Sequence, residues 1–216
     1  MKKAILFDLD GTLWDSSEEV ARSWSEVLAA CPETDKQITK SDMHRFMGKT
    51  LDEIGVMALP EIPEPRRTEI MKSCVRHEVE YLSRHGAALM GDIRAILTPL
   101  KEKYTLCIIS NCQDGYIQCF LDFFGFWDLF DDIECPGRTG KGKGENIKLV
   151  MQRQNIDRAL YLGDTQGDLN AADEAGIPFL FAEYGFGSTD RPTERISSLD
   201  ELAEAAERIL CYNINA

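Results

Sequence analysis

The sequence has no pair of cysteines at Cys-x-x-Cys spacing, and its three histidines, His44, His77 and His85, include no two at ligand spacing. That argues against a zinc or histidine-based metal site. The seven cysteines are odd in number and scattered through 216 residues, which fits reduced thiols in a cytoplasmic protein rather than a disulfide framework. No apolar run approaches the length of a membrane span. The opening Met1-Lys2-Lys3 and the apolar residues after it are interrupted by Asp8 and Asp10, too early for a signal peptide. Positive charge is in deficit, with 24 Lys and Arg against 37 Asp and Glu and a formal net charge of −13. Neither nucleic acid nor an acidic membrane is therefore expected as the main partner, since both need a positive surface. Internal repeats and low-complexity segments are missing, while 44% hydrophobic and 28% charged residues suffice for a sizeable core.

What the chain does have begins almost at its first residue. Ala4-Ile5-Leu6 reads as a buried strand and runs into Phe7-Asp8-Leu9-Asp10-Gly11-Thr12-Leu13. Side chains alternate along extended backbone, so Asp8 and Asp10 project to one side while Leu9 turns away. Gly11 lets the chain leave the strand and approach a ligand closely. Adjacent carboxylates repel each other and call for a cation, a shared proton or a buried base. The plainer alternative is an Asp-rich turn after a strand.

From residue 15 to residue 87 the pattern is wholly helical. Ser16 with Glu19 predicts a capping box for a helix carrying Val20, Trp24, Val27 and Leu28 on one face, and Pro32 marks its end. Short helices are predicted over Ser41 to Met47 and Thr50 to Ala58, the second capped by Thr50 and Glu53. A long helix follows from about Pro65 to Arg84, with Ile70, Met71, Cys74, Val75, Val79 and Leu82 as its apolar stripe. The rest alternates. Leu106 to Ile109, Asp131 to Cys135, Ala159 to Leu162 and Ile177 to Ala182 read as strands. Helices are predicted after Asp114, over Asn146 to Gln154 and around Leu202 to Leu210. Such alternation predicts a parallel sheet with helices on both faces. Ligands of open α/β sheets sit at the carboxyl ends of the strands. Asp8, Ser110 and Asp164 each follow a predicted strand directly, so all are expected at one edge.

Four stretches in order resemble the motifs of the haloacid dehalogenase superfamily. Asp8-Leu9-Asp10-Gly11-Thr12-Leu13 resembles its first motif, Ser110-Asn111 its second, and Gly163-Asp164-Thr165-Gln166-Gly167-Asp168 its fourth. For the third, a lysine, Lys141 and Lys143 compete, with Lys143 favoured because it immediately precedes a predicted helix. The resemblance implies a Rossmann-like, doubly wound α/β catalytic core over 1–14 and 88–216, with an inserted all-helical cap over 15–87. It further implies a Mg²⁺-dependent phosphatase acting on a small phosphorylated metabolite, with oligomeric state left open. Asp8 is then the nucleophile that forms an aspartyl phosphate, Asp10 the general acid and base, and Lys143 a catalytic counter-charge. Thr12, Ser110, Asn111 and Lys143 bind the phosphoryl oxygens. Asp8, Asp10 through its carbonyl, and Asp164 hold the metal. Asp168 either adds to the metal site or serves as an acid at a helix start. Presence of Asp10 sets the chain apart from the dehalogenases, which replace that acid.

The resemblance also implies that Met47-Gly48-Lys49-Thr50, a loop of the helical cap, selects the substrate, through close approach at Gly48 and charge at Lys49. A solvated lysine at a helix junction is the plainer alternative. Gly137 to Lys143 spells G-x-x-x-x-G-K, but Gly144 stands where a P-loop needs Ser or Thr for Mg²⁺. A sugar phosphomutase resembling β-phosphoglucomutase and a catalytically silent interaction protein on the same fold are the rival readings.

Overall fold

The structure is a computed structural model and describes residues 1–46, 49–191 and 193–211. They divide into two compact units, Met1–Asp15 with Ala88–Ala216, and Ser16–Ala87. Among the described residues no helix is long and apolar enough to cross a membrane.

The first unit is built on a parallel sheet. Its strands are β1 Lys3–Phe7, β4 Thr105–Ile109, β5 Asp132–Glu134, β6 Arg158–Gly163, β7 Phe179–Ala182 and β8 Glu194–Ile196. A small antiparallel pair, β2 Trp14–Asp15 and β3 Ala88–Leu89, sits beside it. The large sheet has the order β5-β4-β1-β6-β7-β8. The chain thus steps outward from β1 on one side, then returns to build the other side, and β1 marks the reversal. In register, Phe7 lies opposite Ile108 on one flank and Leu162 on the other.

Ala4, Ile5, Leu6 and Phe7 are fully buried, as a parallel strand covered on both faces requires. Alternate residues feed separate faces. Ala4, Leu6, Cys107, Ile109, Ala159 and Tyr161 pack against Ile147 and Val150 of α8 (Lys143–Arg153) and Leu169 and Ala172 of α9 (Gln166–Ala175). Each Leu, Ile or Val among them contributes about 1.5–3 kcal/mol by leaving water. The remaining helices of this unit are α5 Ile93–Lys101, α6 Tyr116–Phe124, the short α7 Pro136–Thr139 and α10 Leu202–Cys211.

The second unit contains α1 Ser17–Ala29, α2 Lys40–Phe46, α3 Leu51–Ala58 and α4 Arg66–His85. Trp24 and Phe46 stack with ring centres 6.3 Å apart. The Trp24 indole N–H donates to Glu78 Oε2 at 2.7 Å, so the stripe of α4 contains a buried carboxylate that its apolar pattern does not disclose. Thr50 and Glu53 form the expected capping box on α3.

Several elements differ from expectation. Ser16 makes no side-chain cap, because its backbone is already helical at φ −87° and ψ −5°, whereas a capping oxygen reaches back from an extended residue. Val27, Val75 and Val79 are only half-buried. Helix α8 begins at Lys143 rather than Asn146, with Gly142 as its cap. Helix α5 carries Pro99 inside it and is capped by Asp92, whose side chain accepts from the Ala95 N–H. That proline and the short span hide it in the sequence. Strand β8 is likewise concealed, since two of its three residues are exposed.

Candidate active site

Three strand ends deliver the polar residues. Asp8 follows β1 directly, and its N–H donates to the Leu162 carbonyl at 2.8 Å. Ser110 follows β4, with its N–H on the Glu134 carbonyl at 3.2 Å. Asp164 follows β6. Because β4 and β6 flank β1, all three stand at the carboxyl edge of the sheet, where its winding reverses.

Asp8, Asp164 and Asp168 converge. One carboxylate oxygen from each lies within 4.8 Å of the others, and all three residues are buried. Lys143, also buried, joins them from the first turn of α8. Its Nζ donates to Asp8 Oδ1 at 2.9 Å and to Asp168 Oδ1 at 2.5 Å. The same ammonium lies 5.8 Å from the ring centre of Tyr161, close enough for a cation–π attraction. Lys141 is exposed and contributes its carbonyl to Asn146, so the local fold separates the two candidate lysines.

Burial dominates the electrostatics. It pushes the Asp8 carboxyl up to about 8, with Asp168 adding to the rise and Lys143 opposing it. Asp164 is pushed up to about 7, again by burial first and Asp168 second, while the Phe186 N–H lowers it. For Lys143, burial works against the charge, but Asp168 and Asp8 outweigh it and raise the ammonium well above its ordinary value. The cluster is therefore a buried cation shared by acids that lack enough positive charge between them.

The donors present fit a hard divalent cation. They are carboxylate oxygens without a soft ligand. Asp164 Oδ1 is buried with no hydrogen-bond partner, and such an orphan is costly unless something binds it. Its other oxygen accepts from the Phe186 N–H at 2.8 Å. Asp168 is more fully engaged. Oδ1 takes Lys143, and Oδ2 takes the Thr165 N–H at 3.0 Å and hydroxyl at 2.6 Å, completing a capping box on α9.

The family model described as haloacid dehalogenase-like hydrolase matches residues 5–182. The chain belongs to this family. A phosphoglycolate phosphatase of Mesorhizobium japonicum is 26% identical over 221 residues, spanning 95% of this chain and 96% of that protein. Another, from Aquifex aeolicus, is 26% identical over 191 residues, spanning 85% and 86%. A haloacid dehalogenase-like family hydrolase of Streptococcus pneumoniae shares the fold, with a TM-score of 0.79, 23% identity and coverage of 94% and 98%. With this family and these relatives, the chain is an enzyme of the phosphatase kind, a phosphoric monoester hydrolase.

The other expected site residues of this hydrolase are spread more widely. The Asp10 side chain is outside the carboxylate cluster and accepts from the Tyr116 hydroxyl at 2.9 Å. Thr12 is fully buried and its hydroxyl has no hydrogen-bond partner. Ser110 is buried, whereas Asn111 is exposed. In the helical unit Lys49 is exposed, and the Thr50 hydroxyl is already engaged by Glu53. Met47 and Gly48 lie outside the described residues.

Three contributors escape the sequence reading. Tyr116 braces Asp10, Tyr184 donates to the Thr12 carbonyl at 2.9 Å, and Phe186 supplies the N–H on Asp164. The last two belong to Tyr184-Gly185-Phe186-Gly187, whose pair of glycines is the available signal. A Cβ on Gly185 would meet Asp164 Cβ and the Gly11 carbonyl. Gly11 itself has φ +79° and backs onto the Asp164 carboxylate. Both positions need glycine so that two loops can close on one acid.

Proposed function

We propose that the chain is a Mg²⁺-dependent phosphatase that hydrolyses a small phosphorylated metabolite through an aspartyl phosphate on Asp8. The observation that carries this reading is the buried Lys143 ammonium bridging Asp8 at 2.9 Å and Asp168 at 2.5 Å. A carboxylate directed to the sheet edge with a fixed cation beside it is a nucleophile whose charged form Lys143 favours and burial opposes.

Asp8 and the unpartnered Asp164 Oδ1 are the side-chain ligands for the cation, with the Asp10 carbonyl as a third donor. Asp168 acts chiefly by fixing Lys143 and the start of α9. The cation, when bound, supplies positive charge that offsets repulsion between the Asp8 carboxylate and a phosphate dianion. Asp8 Oδ attacks phosphorus in line and the ester bond breaks. Asp10 gives its proton to the leaving alkoxide. It then takes one from the water that opens the aspartyl phosphate. Lys143 and the Thr12 and Ser110 hydroxyls hold phosphoryl oxygens, joined by Asn111 at the exposed rim. Tyr116 keeps Asp10 in place.

Residues 1–14 and 88–216 act as the catalytic core in this reading, and 15–87 as a cap that selects the leaving group. Phosphoglycolate, named for the two relatives above, is the first metabolite to test. Purified protein is assayed on 4-nitrophenyl phosphate with Mg²⁺ and with EDTA. Metal-dependent turnover that falls about a thousandfold or more in Asp8→Asn supports the reading. Turnover that persists in Asp8→Asn contradicts it.

A further inference from the structure

Tyr161 of β6 is a fully buried phenol that the chemistry at Asp8 does not itself require. In register it lies opposite Leu6 of β1, which in turn lies opposite Cys107 of β4. It packs on the face that α8 and α9 cover, in one cluster with Leu6, Ile109, Ile147 and Leu169. A phenylalanine would fill that space. The hydroxyl is the part that packing does not call for, and a buried phenol needs a partner. It finds one on the far side of β1. The Tyr161 hydroxyl donates to the Ile109 carbonyl at 2.5 Å, reaching from β6 to β4 in the order β4-β1-β6.

That carbonyl belongs to the peptide whose nitrogen is Ser110. The pairing of β1 with β4 ends where Phe7 meets Ile108, so this peptide lies past the last contact with β1. Its N–H donates to the Glu134 carbonyl at 3.2 Å. The Ile109–Ser110 peptide is thus pinned at both ends, through its N–H by β5 and through its carbonyl by Tyr161. The ring of the same tyrosine lies 5.8 Å from the Lys143 ammonium, within cation–π reach. Burial raises the Tyr161 hydroxyl well above its ordinary value, so it keeps its proton and stays a donor.

We propose that Tyr161 is a positioning residue of this site, whose hydroxyl holds the peptide of Ser110 and whose ring beds the Lys143 ammonium. One side chain then sets the spacing of two groups that grip phosphoryl oxygens, one from β4 and one from α8. This role rests on the phosphatase reading.

Steady-state kinetics on 4-nitrophenyl phosphate test it. Tyr161→Phe keeps the ring and loses the hydroxyl. Its KM should rise about fivefold with kcat changed less than about twofold, since Ser110 grips the phosphoryl group in ground and transition states alike. Tyr161→Met loses the ring as well. It should show the same rise in KM and a kcat about tenfold lower, because Lys143 loses its bed, and it carries the KM readout if Tyr161→Phe does not fold. In a Ser110→Ala background, Tyr161→Phe should raise KM by less than about twofold. Variants that melt earlier but keep the parent's KM and kcat well below melting overturn the proposal, as does an undiminished rise in KM in the Ser110→Ala background. If the parent turns over no ester, the phosphatase reading fails by itself. The same cycle is then read in calorimetric affinity for inorganic phosphate with Mg²⁺. A fall of about fivefold in Tyr161→Phe that Ser110→Ala abolishes supports the positioning role; unchanged affinity, or no binding by the parent, overturns it.

Discussion

Lys143 Nζ lies 2.5 Å from Asp168 Oδ1, and this contact fixes the ammonium where it can also reach Asp8 at 2.9 Å. Asp168 is in turn held by Thr165 through the capping box of α9. A helix cap thus sets the position of the buried Lys143 ammonium. The acid at the end of the G-D-x-x-x-D run caps α9 and holds Lys143 at once.

Lys143→Met should lower kcat by about 10²–10³-fold, since it removes a preorganised charge from a dry site. Lys141→Met should change kcat less than about twofold, because that side chain is exposed. Steady-state kinetics of the two variants decide the matter, and equal losses would contradict the assignment of Lys143.

Asp164→Ala should raise the Mg²⁺ concentration for half-maximal activity by about tenfold or more. In the metal-free protein Asp164 and Asp8 hold protons up to about 7 and about 8, and binding must displace them. Mg²⁺ affinity should therefore rise from pH 6 to pH 8.5 and level off above. Calorimetric titration across that range checks the trend; a flat profile would count against both ligands.

Burial of Asp8 also has a stability cost whose sign is fixed. Its folded value of about 8 exceeds the ordinary 3.8, so folding takes up a proton between these limits and metal-free stability falls as pH rises through them. Asp8→Asn removes that penalty. At pH 8 without metal the variant should melt about 2–4 °C above the parent for each kcal/mol gained, and the gap should close towards pH 4. A variant less stable than the parent at pH 8 would show that the Lys143 contact outweighs desolvation.

Tyr116→Phe removes the hydroxyl on Asp10 and keeps the ring against Trp14, whose centre is 5.5 Å away. The expected result is a loss of about tenfold in kcat on alkyl phosphates, whose leaving groups need a proton. Little change is expected on 4-nitrophenyl phosphate, whose leaving group does not. Equal losses on both would assign Tyr116 a packing role only.

The positions of Asp8 and Asp164 were legible because each directly follows an apolar run that forms a buried strand, whereas Asp10 lies beyond the end of β1 and its side chain meets Tyr116 rather than the carboxylate cluster. Lys143 was legible from its place at a helix start, although that helix begins earlier than its apolar pattern suggests. Thr165 and Asp168 carry a capping signature as well as a motif. Tyr116, Tyr184 and Phe186 were not legible, since nothing local marks a hydroxyl or N–H whose partner is 106, 172 or 22 residues away. Glu78 was hidden for the same reason, with Trp24 54 residues distant. Thr50 shows the converse. Its capping signature was clear, and that use leaves its hydroxyl engaged.

Rapid acid quench during turnover traps the aspartyl phosphate expected on Asp8. Enzyme mixed with Mg²⁺ and a phosphate ester for milliseconds, quenched and digested, should yield the N-terminal peptide phosphorylated on Asp8, with none in Asp8→Asn. Full turnover with no phosphorylated peptide at any quench time, together with single-step transfer of phosphate to water by stereochemical inversion at phosphorus, would contradict covalent chemistry at Asp8.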